Sequence, residues 1–261
     1  MPNRNKTLIM KFGGAAIKSP AHFSEIADLI LTRARDYPKI AVVVSAMGDM
    51  TDELIAMAQT VNPEPPRREY DMLVSAGERI SIALLAMALH GKNKEAVSFT
   101  GSQSGIITSD DHTDAKIVDV RPHRLLSSLE SGKIVIVAGF QGVSLSREIT
   151  TLGRGGSDTT AVALGVAFGA AKVEFYKDVP GIFACDPKAD PTAPLFSALS
   201  YQEAIAIVKQ SGSQVLHPRA ISLAAKNRLP LHILSFQEKT APGTQISLPE
   251  DTLSCGPLYE S

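Results

Sequence analysis

Arg154, Gly155, Gly156, Ser157 and Asp158 occupy consecutive positions within TTLGRGGSDTTA, residues 150–161, directly ahead of a helix-like run at residues 159–169. A helix N-terminus carries unpaired amides and a partial positive charge, so it favours anions. Arginine adds a planar fork able to hold a carboxylate through two hydrogen bonds. An aspartate there could orient donors or face a metal-bound phosphate. Helix capping would account for Ser157 or Asp158, but it gives no reason for Arg154 and paired glycines beside them. The chemistry this cluster points to is the positioning of anionic groups.

A second set begins with KFGG, residues 11–14, at the end of the first strand-like segment. Gly13 and Gly14 would let backbone amides approach a polyphosphate while Lys11 supplies a point charge. A tight strand-to-helix turn with a surface lysine reads equally well locally. The spacing fits neither the P-loop nor the GxGxxG dinucleotide fingerprint, which disfavours both families. VVVSAMGDMTDE, residues 42–53, ends an apolar run in a small-residue loop, where ligands sit in open α/β sheets, and Ser45 could donate there or serve as a turn residue. Glu78 lies in SAGERISIALLAMAL, where it could receive a substrate ammonium, pair with Arg79 or face solvent. KDVPGIFACDPKADP, residues 177–191, offers Asp178, a Pro180–Gly181 turn, Phe183 and Asp186, a set able to hold an adenine ring and ribose or to form an ordinary proline-rich loop. His217 precedes Pro218 without the spacing of a metal site, so a helix-starting turn is the better reading.

These residues need elements to position them. Apolar runs of strand length at residues 7–12, 40–45, 96–100, 134–140, 173–176 and 231–234 alternate with segments of helical periodicity. Helices are expected at residues 52–59, 71–90, 122–131, 158–169, 201–209 and 218–227. The first helix is expected from an N-cap at Ser19 with Pro20 as its first residue, burying Phe23, Ile26, Ala27, Ile30 and Leu31. Such alternation predicts a mainly parallel sheet covered on both faces. Residues 62–68 read as a loop between helices, residues 101–116 as a polar excursion near a site, and residues 244–248 as one short late strand.

Composition limits the alternatives. The chain has 261 residues, 44% hydrophobic and 20% charged, with 26 Lys and Arg against 27 Asp and Glu. That size suits one large α/β domain, and the near-neutral balance lacks the basic stripe nucleic acid requires. No apolar run reaches the roughly 20 residues of a membrane span, and the first residues carry no signal-peptide pattern, so a cytoplasmic location is expected. Cys185 and Cys255 are too few and isolated for a disulfide framework or a cysteine metal site.

In order, KFGG, VVSAMGDMTDELIAMA, SAGERIS, FTGSQSG, IVAGFQG, TTLGRGGSDTTAVAL, KDVPGIFACDP and VLHPRA closely resemble the catalytic domain of the aspartokinases, within the amino acid kinase superfamily. The likeness spans about residues 8–236. It implies a single catalytic domain over residues 1–261, a three-layer αβα sandwich around about eight strands, with the amino acid over the N-terminal half and ATP over the C-terminal half. The implied reaction is ATP plus L-aspartate giving 4-phospho-L-aspartate, with Mg²⁺, opening the route to lysine, threonine and methionine. By motif position, Lys11 would stabilise the transferring phosphoryl group, and Asp158 with Ser157 would position the substrate and the donors around the phosphates. Ser45 and Thr51 would line the site, Glu78 would bind the ammonium, Arg154 the α-carboxylate, and Gly155 and Gly156 would lie on the substrate side. Phe12, Gly13, Gly14, Tyr176, Lys177, Asp178, Ile182, Phe183, Asp186 and Pro187 would form the nucleotide side. No resident metal ligand is implied. A homodimer is, and a separate regulatory subunit is compatible with it.

Three departures stand against the family pattern. Ala15 and Ala16 replace the serine or threonine that usually follows KFGG, and Gln214 stands where a lysine is common. About 25 residues follow Phe236, too few for the regulatory ACT modules of aspartokinases, so no feedback inhibition by lysine or threonine is expected through this chain alone. Other readings are an amino acid kinase for a different carboxylate and a non-catalytic binding subunit; retention of Lys11, Glu78, Arg154 and Asp158 weighs against the latter.

Overall fold

The computed structural model describes residues 6–184, 192–211, 215–238, 240–248 and 258–260. In chain order, β1 (Thr7–Phe12) leads through a tight turn to α1 (His22–Arg33) and β2 (Lys39–Val44), then α2 (Met50–Val61), α3 (Arg67–Val74) and α4 (Ala76–Gly91). There follow β3 (Ala96–Phe99), β4 (Ile106–Thr108), β5 (Ile117–Val120), α5 (His123–Glu130), β6 (Ile134–Ala138), β7 (Gln141–Ser144) and β8 (Ile149–Thr151). The C-terminal half holds α6 (Gly156–Phe168), β9 (Lys172–Lys177), β10 (Ala198–Leu199), α7 (Tyr201–Ser211), α8 (Pro218–Asn227), β11 (Leu231–Ser235) and β12 (Thr244–Ile246).

Eight strands form one sheet in the order β10-β12-β11-β9-β1-β2-β6-β3. Neighbours from β11 to β3 run parallel, and only the β11–β12 contact is antiparallel. Buried on both faces, these strands read as continuous apolar runs, as parallel strands do. Side chains alternate between two cores. Leu8, Met10 and Phe12 pack with Phe23, Ile26, Ile30, Ile82, Leu85 and Leu89 of α1 and α4, while Ile9, Ala41 and Val43 pack with α6 and α8. The result is the mainly parallel sheet covered on both faces expected from the alternation, and the αβα sandwich that the resemblance implied.

Three local expectations change. Ser19 does not cap α1: its hydroxyl pairs with His22 Nδ1 at 3.0 Å, and three-residue turns through Pro20 and Ala21 delay the helix to His22. Within α1, Leu31 is only half-buried, whereas the other four apolar positions named are buried. Residues 101–116 are not merely an excursion, since β4 joins a second sheet in the order β5-β4-β7-β8. Strands of three or four residues are too short to display a period of two.

Residues 67–91 are helical apart from a turn at Ser75, and this stretch is long and apolar enough, by length and composition alone, to cross a membrane. Its apolar side is used in the fold, with Val74, Ile82, Leu85 and Leu89 buried.

Candidate active site

The alternation along β1 and β9 decides which side chains reach the site. Lys11 shares the α6 face of β1 with Ile9, and its strand partner is Phe175, two residues before Lys177. Asp158, the third residue of α6, sits between the two lysines: Lys11 Nζ lies 2.6 Å from Oδ1 and Lys177 Nζ 3.2 Å from Oδ2. Neither Ser157 nor Asp158 caps α6, whose cap residue Gly155 makes no side-chain hydrogen bond. The capping explanation for Asp158 is thereby replaced by a buried ion cluster.

That cluster holds two cations and one anion at a helix N-terminus, leaving a net positive charge where the helix dipole also favours an anion. Burial alone would raise the Asp158 carboxyl, but Lys11 and Lys177 overcome it and hold it down at about 2. Burial pulls the Lys177 ammonium down to about 8 despite Asp158 beside it. Lys177 can therefore change charge within a working pH range.

Gly155 has φ +72°, and an added Cβ would lie 2.3 Å from the Cβ and Cγ of His217. Only glycine fits this left-handed position against that ring. His217 in turn caps α8, accepting from the Arg219 N–H at 3.2 Å, as the helix-start reading of VLHPRA expects. Arg219 donates to Leu152 O at 2.6 Å and Ala115 O at 2.7 Å, bracing the segment that leads into Arg154.

On the other side, Glu78 of α4 is 3% exposed. Its Oε1 accepts the Ala46 N–H at 3.1 Å, and its Oε2 is buried without a hydrogen-bond partner. Burial pushes this carboxyl up to about 7, against the Ala46 hydrogen bond and the charge of Lys11. The close approach depends on Gly77, where an added Cβ would stand 2.8 Å from Ala46 Cβ. Neither pairing with Arg79 nor solvent exposure describes Glu78. A buried acceptor without a donor is costly, and an ammonium group would satisfy it.

The remaining expected residues divide. Gly14, Ala15, Lys18, Met47, Gly48, Asp49, Met50 and Glu53 line an open cleft of about 570 Å³ between the KFGG turn and the start of α2. Ser45, Thr51 and Ser157 are half-buried, at the end of β2, the first turn of α2 and the first turn of α6. Arg154 and Asp178 are exposed. Gly13 lies beside Lys11, an added Cβ there falling 3.4 Å from its Nζ.

Three residues expected on the nucleotide side turn their side chains into the core. Phe12 and Tyr176 face away from Lys11 and Lys177 because alternate residues of a strand point to opposite faces. Their rings stack in the core with centroids 4.8 Å apart, and Tyr176 donates to Glu174 at 2.7 Å. Ile182 is also in the core, its N–H bonded to Thr244 Oγ1 at 2.9 Å. Phe183 is half-buried and bridges to Leu195. Asp186, Pro187 and Gln214 lie outside the described residues, as do both cysteines.

Sequence reasoning missed Asp71, a fully buried carboxylate on α3 that gathers His112 and Thr113 of the β4–β5 loop and Thr151 at the end of β8. A lone aspartate in a polar helical stretch carries no local mark of this. Among the described residues no group of three or more His, Cys, Asp or Glu could hold a metal ion.

Residues 6–235 match the Amino acid kinase family. An aspartokinase of Corynebacterium efficiens is 46% identical over 241 residues, covering 92% of this chain and 57% of that protein. The chain thus spans little more than half the length of such curated relatives. Among solved structures, aspartate kinase from Synechocystis superposes with a TM-score of 0.83 at 41% identity, covering 93% of this chain and 40% of that one. E. coli aspartokinase III in complex with aspartate and ADP gives a TM-score of 0.84 at 25% identity, covering 94% and 65%.

Proposed function

Because the chain belongs to the amino acid kinase family, we propose that it transfers the γ-phosphoryl group of ATP to the side-chain carboxylate of L-aspartate. The products are 4-phospho-L-aspartate and ADP, the former feeding synthesis of aspartate-derived amino acids such as lysine and threonine. The reading rests on Glu78, a buried carboxylate with one oxygen unpartnered and within electrostatic reach of Lys11. An amino acid's ammonium group fits that oxygen, and its α-carboxylate fits the exposed fork of Arg154. The aspartokinase names of the relatives and the aspartate and ADP of the E. coli complex support the choice of substrate.

A carboxylate is already nucleophilic at neutral pH, so no general base is required. One of its oxygens attacks the γ-phosphorus, the bond to the bridging oxygen of the β-phosphate breaks, and ADP leaves with the charge. Catalysis then consists of in-line positioning and neutralisation of phosphate charge. Lys11 and the amides at Gly13, Gly14 and the start of α6 stabilise the transferring group. Asp158 holds Lys11 and Lys177 together, and its carboxylate is committed to them. Mg²⁺ bound to the nucleotide would supply further positive charge to the phosphates, with no group of three or more His, Cys, Asp or Glu among the described residues to hold it as a resident ion. Ser45, Thr51, Gly155, Gly156 and Ser157 belong to the amino-acid side. Lys177, Asp178 and Phe183 belong to the nucleotide side, where Phe12, Tyr176 and Ile182 contribute backbone only.

In this reading residues 1–261 act as a single catalytic domain, a cytoplasmic homodimer open to association with a regulatory subunit. The test is ADP release with a panel of aspartate, glutamate, N-acetylglutamate and UMP in the presence of ATP and Mg²⁺. Turnover with aspartate alone supports the assignment; turnover with another acceptor and none with aspartate overturns it.

A further inference from the structure

Asp71 lies on α3, seven residues before Glu78, and the helical stretch joining them is interrupted only by the turn at Ser75. Asp71 is fully buried and its two oxygens take four partners. Oδ1 accepts the Thr151 hydroxyl at 2.6 Å, and Oδ2 accepts the amides of Thr151 and Thr113, each at 3.1 Å, with His112 Nδ1 at 2.7 Å. Thr151 is three residues before Arg154. One side chain therefore ties α3, which runs through the turn at Ser75 into the helix carrying Glu78, to the strand whose continuation carries Arg154.

The two segments it holds, residues 112–115 and the end of β8, are also fastened through carbonyls. Arg219 donates to Leu152 O and Ala115 O, and Ala115 N–H donates to Thr151 O at 2.9 Å. The guanidinium serves the acceptors of these segments and Asp71 serves their donors. Two charges of opposite sign thus satisfy the backbone of residues 113–115 and 151–152 from two directions, an arrangement with little tolerance for sliding.

We propose that Asp71 is a positioning residue that sets the gap between Glu78 and Arg154, and so the selectivity of the site for the α-amino and α-carboxyl ends of its substrate. This rests on the amino acid kinase reading for the identity of that substrate. Asp71 touches no ligand; it acts through Thr151 and the α3–α4 stretch.

Asp71→Asn is the sharpest probe. The substitution preserves shape but removes the negative charge that three donors share at Oδ2, and an amide nitrogen at the Oδ1 position obliges the Thr151 hydroxyl to turn from donor to acceptor. The variant should raise the KM for aspartate by about tenfold or more, while kcat and the KM for ATP stay within about twofold. Trypsin should cleave faster after Arg154, identified by mass spectrometry of the fragment ending there, in protein whose melting transition remains cooperative. A pair of milder variants guards against misfolding: Thr151→Val should move the aspartate KM and the cleavage rate in the same direction, and Thr151→Ser should restore both.

Equal rises in both KM values, or an unchanged cleavage rate after Arg154, would overturn the proposal. If the parent protein phosphorylates no aspartate, the functional reading fails. The cleavage measurement needs no substrate and still decides whether Asp71 holds the Arg154 loop.

Discussion

Lys11 and Glu78 make the most exposed claims at the residue scale. Lys11 is a buried ammonium held by Asp158, and in the proposed reaction it neutralises phosphate charge. Lys11→Met removes that charge at nearly constant volume, and kcat should fall by about 10²–10³, the cost of losing one preorganised electrostatic contact. A fall below about threefold, measured with the variant still folded, would remove Lys11 from the mechanism. Glu78 adds a pH signature. Its carboxyl is raised to about 7, so the free site is increasingly protonated below that value, whereas an ammonium ligand requires the charged form. The KM for aspartate should therefore rise about tenfold from pH 8 to pH 6. In Glu78→Gln the KM should be high throughout and this dependence should vanish. Stability follows the same linkage: the increment from a neutral Glu78 is complete below its ordinary value of 4.5 and is lost as pH rises through about 7. Aspartate should accordingly raise the melting temperature more at pH 8 than at pH 6.

Elements explain how much of this was legible beforehand. The strand at Thr7–Phe12 and the helix at Pro218–Asn227 stand where the apolar pattern and Pro218 put them, because burial on both sheet faces and an N1 proline are strong local signals. The link among Lys11, Asp158 and Lys177 was not legible as geometry, since it joins two strands and a helix across more than 140 positions. KFGG and GRGGSD marked two of its members, and Lys177 was marked only as a nucleotide contact. Asp71 and the second sheet gave no signal, one being a single polar residue and the other a set of three- and four-residue strands. That Phe12, Tyr176 and Ile182 turn their side chains into the core was not legible either, because motif position does not reveal which face of the backbone a side chain takes. The same scale supplies a test of the α6 start. Gly155→Ala would put a Cβ into the His217 ring at a left-handed backbone position. It should cost about 1–3 kcal/mol of stability in chemical denaturation and depress activity beyond that loss. A neutral result would mean that the loop has room the geometry denies it.

Considered whole, the molecule places its charges at the C-terminal ends of a parallel sheet, between one half carrying Glu78 and another carrying Asp158 and Lys177. The two halves should limit activity from opposite sides of the pH scale. Below about 7 Glu78, on the proposed amino-acid side, loses its charge, and above about 8 Lys177, on the proposed phosphate side, loses its own. The profile of kcat/KM for aspartate should fall on the acid side, and the KM for ATP should rise on the alkaline side. Exchange of these two limbs would contradict the division of the site. The most direct measurement is hydroxylamine trapping of the acyl phosphate. With ATP, Mg²⁺ and L-aspartate the protein should yield aspartyl hydroxamate in step with ADP, and Lys11→Met should suppress both. ADP release without hydroxamate would contradict phosphoryl transfer to aspartate.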